Sequence, residues 1–269
     1  MKCFNSTARW TTFLLLCAAL DTHAATKIVL IGKDRDHPYR THEYMADSKL
    51  LAKCLEQTPN IKAVVSNGWP KDPAVLADAD AIVLHVAMGG DFLFHKSHRK
   101  QAQGLLDEGV GLTAIHWSTG AAAGDVGEQY LKALGGWFNT EFSQYHVRES
   151  IVQRVAPQHP VSRGWESYPL REEFYVNLKF LEDIRPIATA EVNDHTYTIG
   201  WTYDRPGPNN GRSFGFVGGH FHENFANPPF CKSIVNGVLW TAHIDLPDAG
   251  APCDVTEKDM ELPPDTRKE

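Results

Sequence analysis

Apolar runs that end in glycine or histidine alternate, through the first half of the chain, with stretches whose apolar residues recur at helical spacing. Residues 27–32 (KIVLIG), 61–65 (IKAVV), 81–85 (AIVLH) and 111–116 (GLTAIH) have the continuous apolar character of strands buried on both faces. Between them, Thr41 can cap a helix whose apolar face is Tyr44, Leu50, Leu51, Cys54 and Leu55. A short helix is expected within 72–78, and further helices over 96–109 and 126–135. Strand and helix in alternation predict a parallel sheet with helices on both faces.

The second half changes pattern. Residues 145–155, 186–192, 196–203 and 213–219 read as strands, with turn signals at Asn193-Asp194 and over 206–211 (PGPNNG). After Pro228 and Pro229 a last helix is expected over about 229–242, with Ile234, Val235, Val238 and Leu239 as its buried stripe. From Asp248 onward the chain is rich in proline and charge and is expected to pack loosely. The predicted fold is α/β, a flavodoxin-like three-layer sandwich with a mainly parallel sheet and β-rich additions in its second half.

Composition narrows the partners. A net charge of −7 without a basic run argues against nucleic acid and against an anionic membrane surface. Lys2 and Arg9, the apolar run 13–20 and the small residues around Ala24 form the pattern of a cleaved export signal, residues 1–24. The remaining chain is expected to be periplasmic or extracellular; a lipid anchor on Cys17 is disfavoured by Leu16 before it. Its roughly 245 residues suit one domain, expected over 25–247, followed by the tail 248–269. Cys54, Cys231 and Cys253 are odd in number and lack C-x-x-C spacing, so neither a disulfide scaffold nor a thiolate zinc site is indicated. One bridge between Cys231 and Cys253, or three unbridged thiols, fit equally well.

Histidine carries the candidate chemistry. His85 and His116 close predicted strands, His220 follows another, and His37 and His42 lie just after the first. Ligands of open α/β sheets bind outside the carboxyl ends of the strands, so these residues are expected to share a crevice. If the backbone stays extended through 220–222, His220 and His222 point to one side; a polar strand end explains the same pair without function. His116 occupies the strand-to-helix turn where α/β enzymes mount a nucleophile, and a hydrogen-bonded core histidine is the alternative there. His95 and His98 read as solvated, His195 and His243 as surface or packing residues, and His146 and His159 are undecided. Glu172 and Glu173 precede Phe174 and Tyr175, which suits a base beside a sugar ring stacked on an aromatic face, or else a solvated acidic turn. Glu43 and Glu223, each beside a histidine, can orient an imidazole or favour a helix start. The charged, glycine-poor segment after residue 32 argues against a nucleotide or flavin cofactor.

Five separated motifs in order give a more specific reading. Asp36 and His37 with Thr41, His42 and Glu43, then 111–117 (GLTAIHW), 158–161 (QHPV), 172–175 (EEFY), and 215–222 (GFVGGHFH) followed by 236–240 (NGVLW), resemble the trehalose-utilisation (ThuA-like) family. The resemblance runs over about 27–247 and implies a fold similar to class I glutamine amidotransferases, although His116 stands where those enzymes need a cysteine. It implies a shared pocket of His42, His116, Glu173 and His220, with His37 and His222 belonging to this branch of the family.

The expectation is an exported carbohydrate enzyme acting on a glycoside or 3-keto-sugar through a divalent ion, zinc or similar. His37, His42 and His220 are the expected ligands, His116 and Glu173 the acid-base groups, and His85, Trp117, Tyr175 and His222 the substrate contacts. A non-catalytic sugar-binding module, or a hydrolase without metal, would use the same residues differently.

Overall fold

The computed structural model of the chain describes residues 24–266; the expected export signal, apart from Ala24, lies outside the described residues. Among the described residues the strands are β1 (Thr26–Gly32), β2 (Ile61–Asn67), β3 (Ala81–Leu84), β4 (Gly111–Ile115), β5 (Gly136–Trp137), β6 (Gln144–Arg154), β7 (Tyr168–Val176), β8 (Lys179–Phe180), β9 (Arg185–Val192), β10 (His195–Asp204) and β11 (Arg212–Phe216). The α-helices among them are α1 (Tyr44–Leu55), α2 (Gly89–Leu93), α3 (Arg99–Asp107), α4 (Asp125–Leu134) and α5 (Pro228–Thr241).

Nine strands form one sheet in the order β2-β1-β3-β4-β11-β10-β9-β6-β7. Strands β2, β1, β3, β4 and β11 pair in parallel, and that order is the flavodoxin-like one. Their side chains are almost continuously buried in β1, β3, β4 and β11, as the apolar runs require when helices cover both faces. Helices α1 and α5 pack together on one face, while α2 and α4 cover the other. Beyond β11 the sheet continues antiparallel through β10, β9, β6 and β7.

The sequence misses β7. Its burial alternates from Tyr168 to Glu172, with Pro169 and Arg171 exposed, yet Pro169 and the adjacent acids Glu172 and Glu173 read as turn chemistry. Pairing with β6 over its whole length overrides that local preference. Thr41 does not cap α1, whose cap position is Glu43; the Thr41 hydroxyl donates to the Pro38 carbonyl instead.

The tail corrects a second expectation. Ala251 and Cys253 are buried, Asn236 of α5 accepts a hydrogen bond from the Ala251 amide, and Lys53 of α1 pairs with Asp259 at 2.5 Å. Arg35 binds Asp265, again at 2.5 Å. The prolines and charges that suggest loose packing here serve an extended strap across α1 and α5.

Candidate functional site

Two loops at the carboxyl edge of the parallel sheet are zipped together. The His42 amide donates to the His220 carbonyl at 3.0 Å, the His222 amide donates to the Arg40 carbonyl at 2.9 Å, and Thr41 bridges Phe221. His42 and His116 both hold positive φ, 49° and 53°, a conformation that costs a side chain of this size energy and is retained where the surroundings fix it. Strand β4 runs beside β11 with Ile115 opposite Phe216, so the turn at His116 faces the turn at His220.

The three imidazoles meet there. His42 Nε2 lies 3.0 Å from His220 Nδ1 and 3.0 Å from His116 Nε2, and the last two are 3.3 Å apart. Glu173 Oε2 stands 3.3 Å from His220 Nδ1 and 3.5 Å from His116 Nε2. The Tyr175 hydroxyl is 3.2 Å from His116 Nε2. Glu173 and Tyr175 reach the cluster together because residues two apart on a strand share a face.

Neighbouring groups fix which nitrogens present lone pairs. His116 Nδ1 donates to the Val217 carbonyl at 2.8 Å, leaving Nε2 as an acceptor. His42 Nδ1 faces Asp36 Oδ1 at 3.2 Å and the Tyr44 hydroxyl at 2.8 Å, which likewise turns its Nε2 inward. Two acceptor nitrogens at 3.0 Å repel unless a proton or a cation lies between them. Burial, reinforced by His37 and His220, lowers the His42 pKa to about 3, and burial with His42 beside it pushes that of His116 well below its usual value. A proton on His42 or His116 is thus disfavoured, and two imidazole lone pairs converge with His220 Nδ1 and one carboxylate. Burial works to raise the Glu173 pKa, but hydrogen bonding to His220 and the field of His116 outweigh it and keep the group below the usual carboxylate value.

The four donors could hold a divalent ion. Zinc bound tetrahedrally to donors at about 2.0–2.1 Å requires donor-to-donor edges of about 3.3–3.4 Å. Five of the six donor-to-donor separations run from 3.0 to 3.5 Å and all four donor atoms lie within 4.8 Å of one another, so His42, His116, His220 and Glu173 could hold such an ion. Hydrogen bonds from the outer nitrogens of ligating histidines to carboxylate and carbonyl groups are characteristic of metal sites.

Glu172, pointing away from Glu173, holds the His220 turn. It is fully buried and accepts from the Gly219 amide (2.8 Å), the His220 amide (3.2 Å), the Glu173 amide (2.7 Å) and the Asn224 side-chain amide (3.0 Å). Burial raises its pKa to about 7. Gly219 has φ +119°, which a side chain would strain, so glycine is needed where the chain turns toward the cluster.

Several sequence expectations change. His37 does not join the four donors; its ring stacks on His42 at 3.7 Å, its Nδ1 is 2.8 Å from Asp36 Oδ1, and it sits at the half-exposed rim beside Trp117. His116 and Glu173, expected as acid-base groups, fall among the converging donors. His222 leaves the crevice because the backbone turns rather than staying extended: it starts a short 3-10 turn, and its Nδ1 meets Asp47 Oδ1 at 2.5 Å inside the protein. His85 is also fully buried, behind the Gly219 turn, with its ring edge-on to Tyr44 at 5.1 Å. Neither is placed to touch substrate. Trp117 remains at the rim, and Tyr175 is buried apart from the hydroxyl approach to His116.

Asp47 is the partner the sequence analysis missed. An acid at position 47 interrupts the apolar stripe of Tyr44, Leu51 and Cys54 on α1, and that interruption is its sequence signal. Cavity size does not lead to the site: cavities of about 590 and 600 Å³ lie beside Arg205 and beside His159.

A flavodoxin-like sheet bearing a strand-end cluster of three histidines and a glutamate defines an α/β protein with a potential metal-binding crevice and no elbow cysteine. The family model described as ThuA, trehalose utilisation, matches residues 28–241, and the chain belongs to that family. Among solved structures, a putative ThuA-like protein from Bacteroides uniformis ATCC 8492 is similar with TM-score 0.63 and 17% identity, over 88% of this chain and 98% of that one. Another, from Parabacteroides merdae ATCC 43184, gives TM-score 0.60 and 15% identity over 90% and 100% of the two chains. At these identities the likeness speaks for the fold. A search of curated proteins finds no match.

Proposed function

We propose that the protein is a divalent-metal-dependent carbohydrate enzyme whose ion is held by His42, His116, His220 and Glu173. The observation that carries this reading is the convergence of three imidazole nitrogens at 3.0–3.3 Å, with a carboxylate oxygen at 3.3 and 3.5 Å. An ion there that accepts a fifth ligand would supply Lewis acidity toward a carbonyl oxygen, chemistry suited to a 3-keto-sugar or 3-keto-glycoside in which the proton beside the ketone is removed.

With His116 and Glu173 engaged as ligands, proton transfer falls to His37. Asp36 holds its Nδ1, and burial of Asp36 is outweighed by its hydrogen bonds to Lys33 and His37, so its pKa sits at about 2 and the carboxylate stays ionised as an orienting group. The Tyr175 hydroxyl can donate to an oxygen beside His116; burial, with Glu173 next to it, pushes its pKa well above the ordinary phenol value and keeps the proton on. Trp117 offers a ring at the rim on which a sugar can stack. The sugar class rests on the trehalose-utilisation family, and export rests on the residue 1–24 pattern.

Elemental analysis after metal-supplemented expression tests the proposal, together with turnover of 3-keto-disaccharides. About one ion per chain, lost in His220→Ala together with turnover, is the expected result. Near-zero metal in the unmutated protein overturns the metal assignment. Sugar binding without turnover, in protein loaded with metal, assigns a binding module instead.

A further inference from the structure

Three buried thiols form a group separate from these donors. Cys54 stands on α1, Cys231 on α5 and Cys253 on the tail strap, and each is at most 7% exposed. The Sγ atoms of Cys231 and Cys253 are 2.9 Å apart, those of Cys54 and Cys231 are 3.8 Å apart, and all three lie within 4.8 Å of one another. Cys231 is the central atom of the group and Cys253 its nearer neighbour.

Charge decides between the two chemistries open to such a cluster. Three thiolates around one soft metal ion would leave net negative charge in a buried site. The lysines beside them in sequence offset only part of it: Lys53 is paired with Asp259, and Lys232, whose charge its hydrogen bond to the neutral Ala249 carbonyl leaves intact, is a single counter-charge. A disulfide is neutral and suits burial, and closing the bond requires the two nearer sulfurs to approach by less than 1 Å, toward about 2.05 Å.

We propose that Cys231 and Cys253 form a reversible disulfide that clasps the C-terminal strap to α5, with Cys54 the thiol left over. Two S–H bonds break and one S–S bond forms; the two electrons and two protons pass to a small-molecule disulfide, which becomes two thiols. The first attack comes from Cys253, on the strap and the most exposed of the three, and Cys231 resolves the mixed disulfide. The clasp reaches the neighbourhood of the site, because the same strap offers the Met260 carbonyl to His222 at 3.2 Å and Asp259 to Lys53 on α1.

The test equilibrates purified protein with oxidised glutathione or with dithiothreitol, then counts thiols after denaturation and maps cross-linked peptides by mass. Oxidation should reduce the three thiols of the described chain to one, give a peptide pair joining Cys231 to Cys253, and raise the melting temperature by several degrees over the reduced protein. Cys54→Ser should keep both the cross-link and the shift, and Cys253→Ser should lose both. If Cys253→Ser fails to fold, the peptide map of the unmutated protein decides alone. Three thiols persisting both in native protein and after refolding in the oxidant overturn the proposal. So do a bridge mapped to Cys54 and Cys231, a persistent mixed disulfide, or a stoichiometric metal that survives His220→Ala and vanishes in Cys253→Ser.

Discussion

Three of the four converging donors stand on loops at the carboxyl edge of the parallel half of the sheet, whereas the fourth, Glu173, stands inside a strand of the antiparallel half. His42, His116 and His220 are brought together by topology that any flavodoxin-like sheet supplies, with each loop following a buried strand or its neighbour. Glu173 and Tyr175 arrive from β7, which is last in the sheet order yet meets the segment after β11 through three hydrogen bonds that Glu172 accepts from Gly219, His220 and Asn224. The parallel half thus provides a general binding edge, and the antiparallel half supplies the charge and the hydroxyl that specialise it. Beyond the β10–β11 pairing that joins the halves within the sheet, one buried carboxylate ties β7 to the turn carrying His220.

The largest break in this comparison should come from the parallel half. His116→Ala removes a fully buried donor that lies beside the other three, and metal affinity is expected to fall by at least about 100-fold, read by competition with a metal-binding dye. Glu173→Gln leaves three imidazoles in place, so the expected loss is smaller, on the order of 10–100-fold, with the fold intact by circular dichroism. An equal loss in both variants would mean that the two halves contribute alike and that the division drawn above is wrong. Activity on a keto-sugar should fall with metal content in both.

Glu172→Gln addresses the seam itself. The amide would set an NH₂ group against backbone donors, and leaving buried donors unsatisfied costs about 1–3 kcal/mol, read as a lower urea midpoint. Metal affinity should weaken too, because the turn carrying His220 loses its anchor. A stability loss with unchanged metal affinity would show that the seam supports the fold without setting the site.

The same contrast explains what could be read from the chain. Strands β1, β3, β4 and β11 show themselves as apolar runs because helices cover both their faces, and the histidines that follow β1, β4 and β11 were therefore legible as one crevice, whereas His85 after β3 is buried behind the Gly219 turn. Strand β7 is hidden by Pro169 and by paired acids whose partners lie 47 residues away at Gly219, a contact with no local signature. His222 misled for a related reason. Two histidines at alternate positions share a face only in extended chain, and the turn at Gly219 with the short helical turn after it sends His220 to the cluster and His222 to Asp47.

That last pair gives the smallest expected effect and tests whether α1 belongs to the site or only to the scaffold. Burial raises the Asp47 pKa from 3.8 to about 6, although its hydrogen bond to His222 works against the shift. A raised carboxylate pKa means that the folded state binds the proton more tightly, so this contribution to stability is present below about pH 4 and lost as pH climbs through about 6. For His222, burial would lower the pKa but the hydrogen bond to Asp47 raises it, so its contribution is whole below pH 6.5 and is lost above, in the same direction. The urea midpoint should accordingly fall more between pH 4.5 and pH 8 in the unmutated protein than in Asp47→Asn, where the carboxylate no longer titrates. Metal affinity at fixed pH should be the same in both, since Asp47 touches none of the four donors. A parallel loss of metal affinity in Asp47→Asn would extend the site into α1 and make the buried pair part of what positions His220.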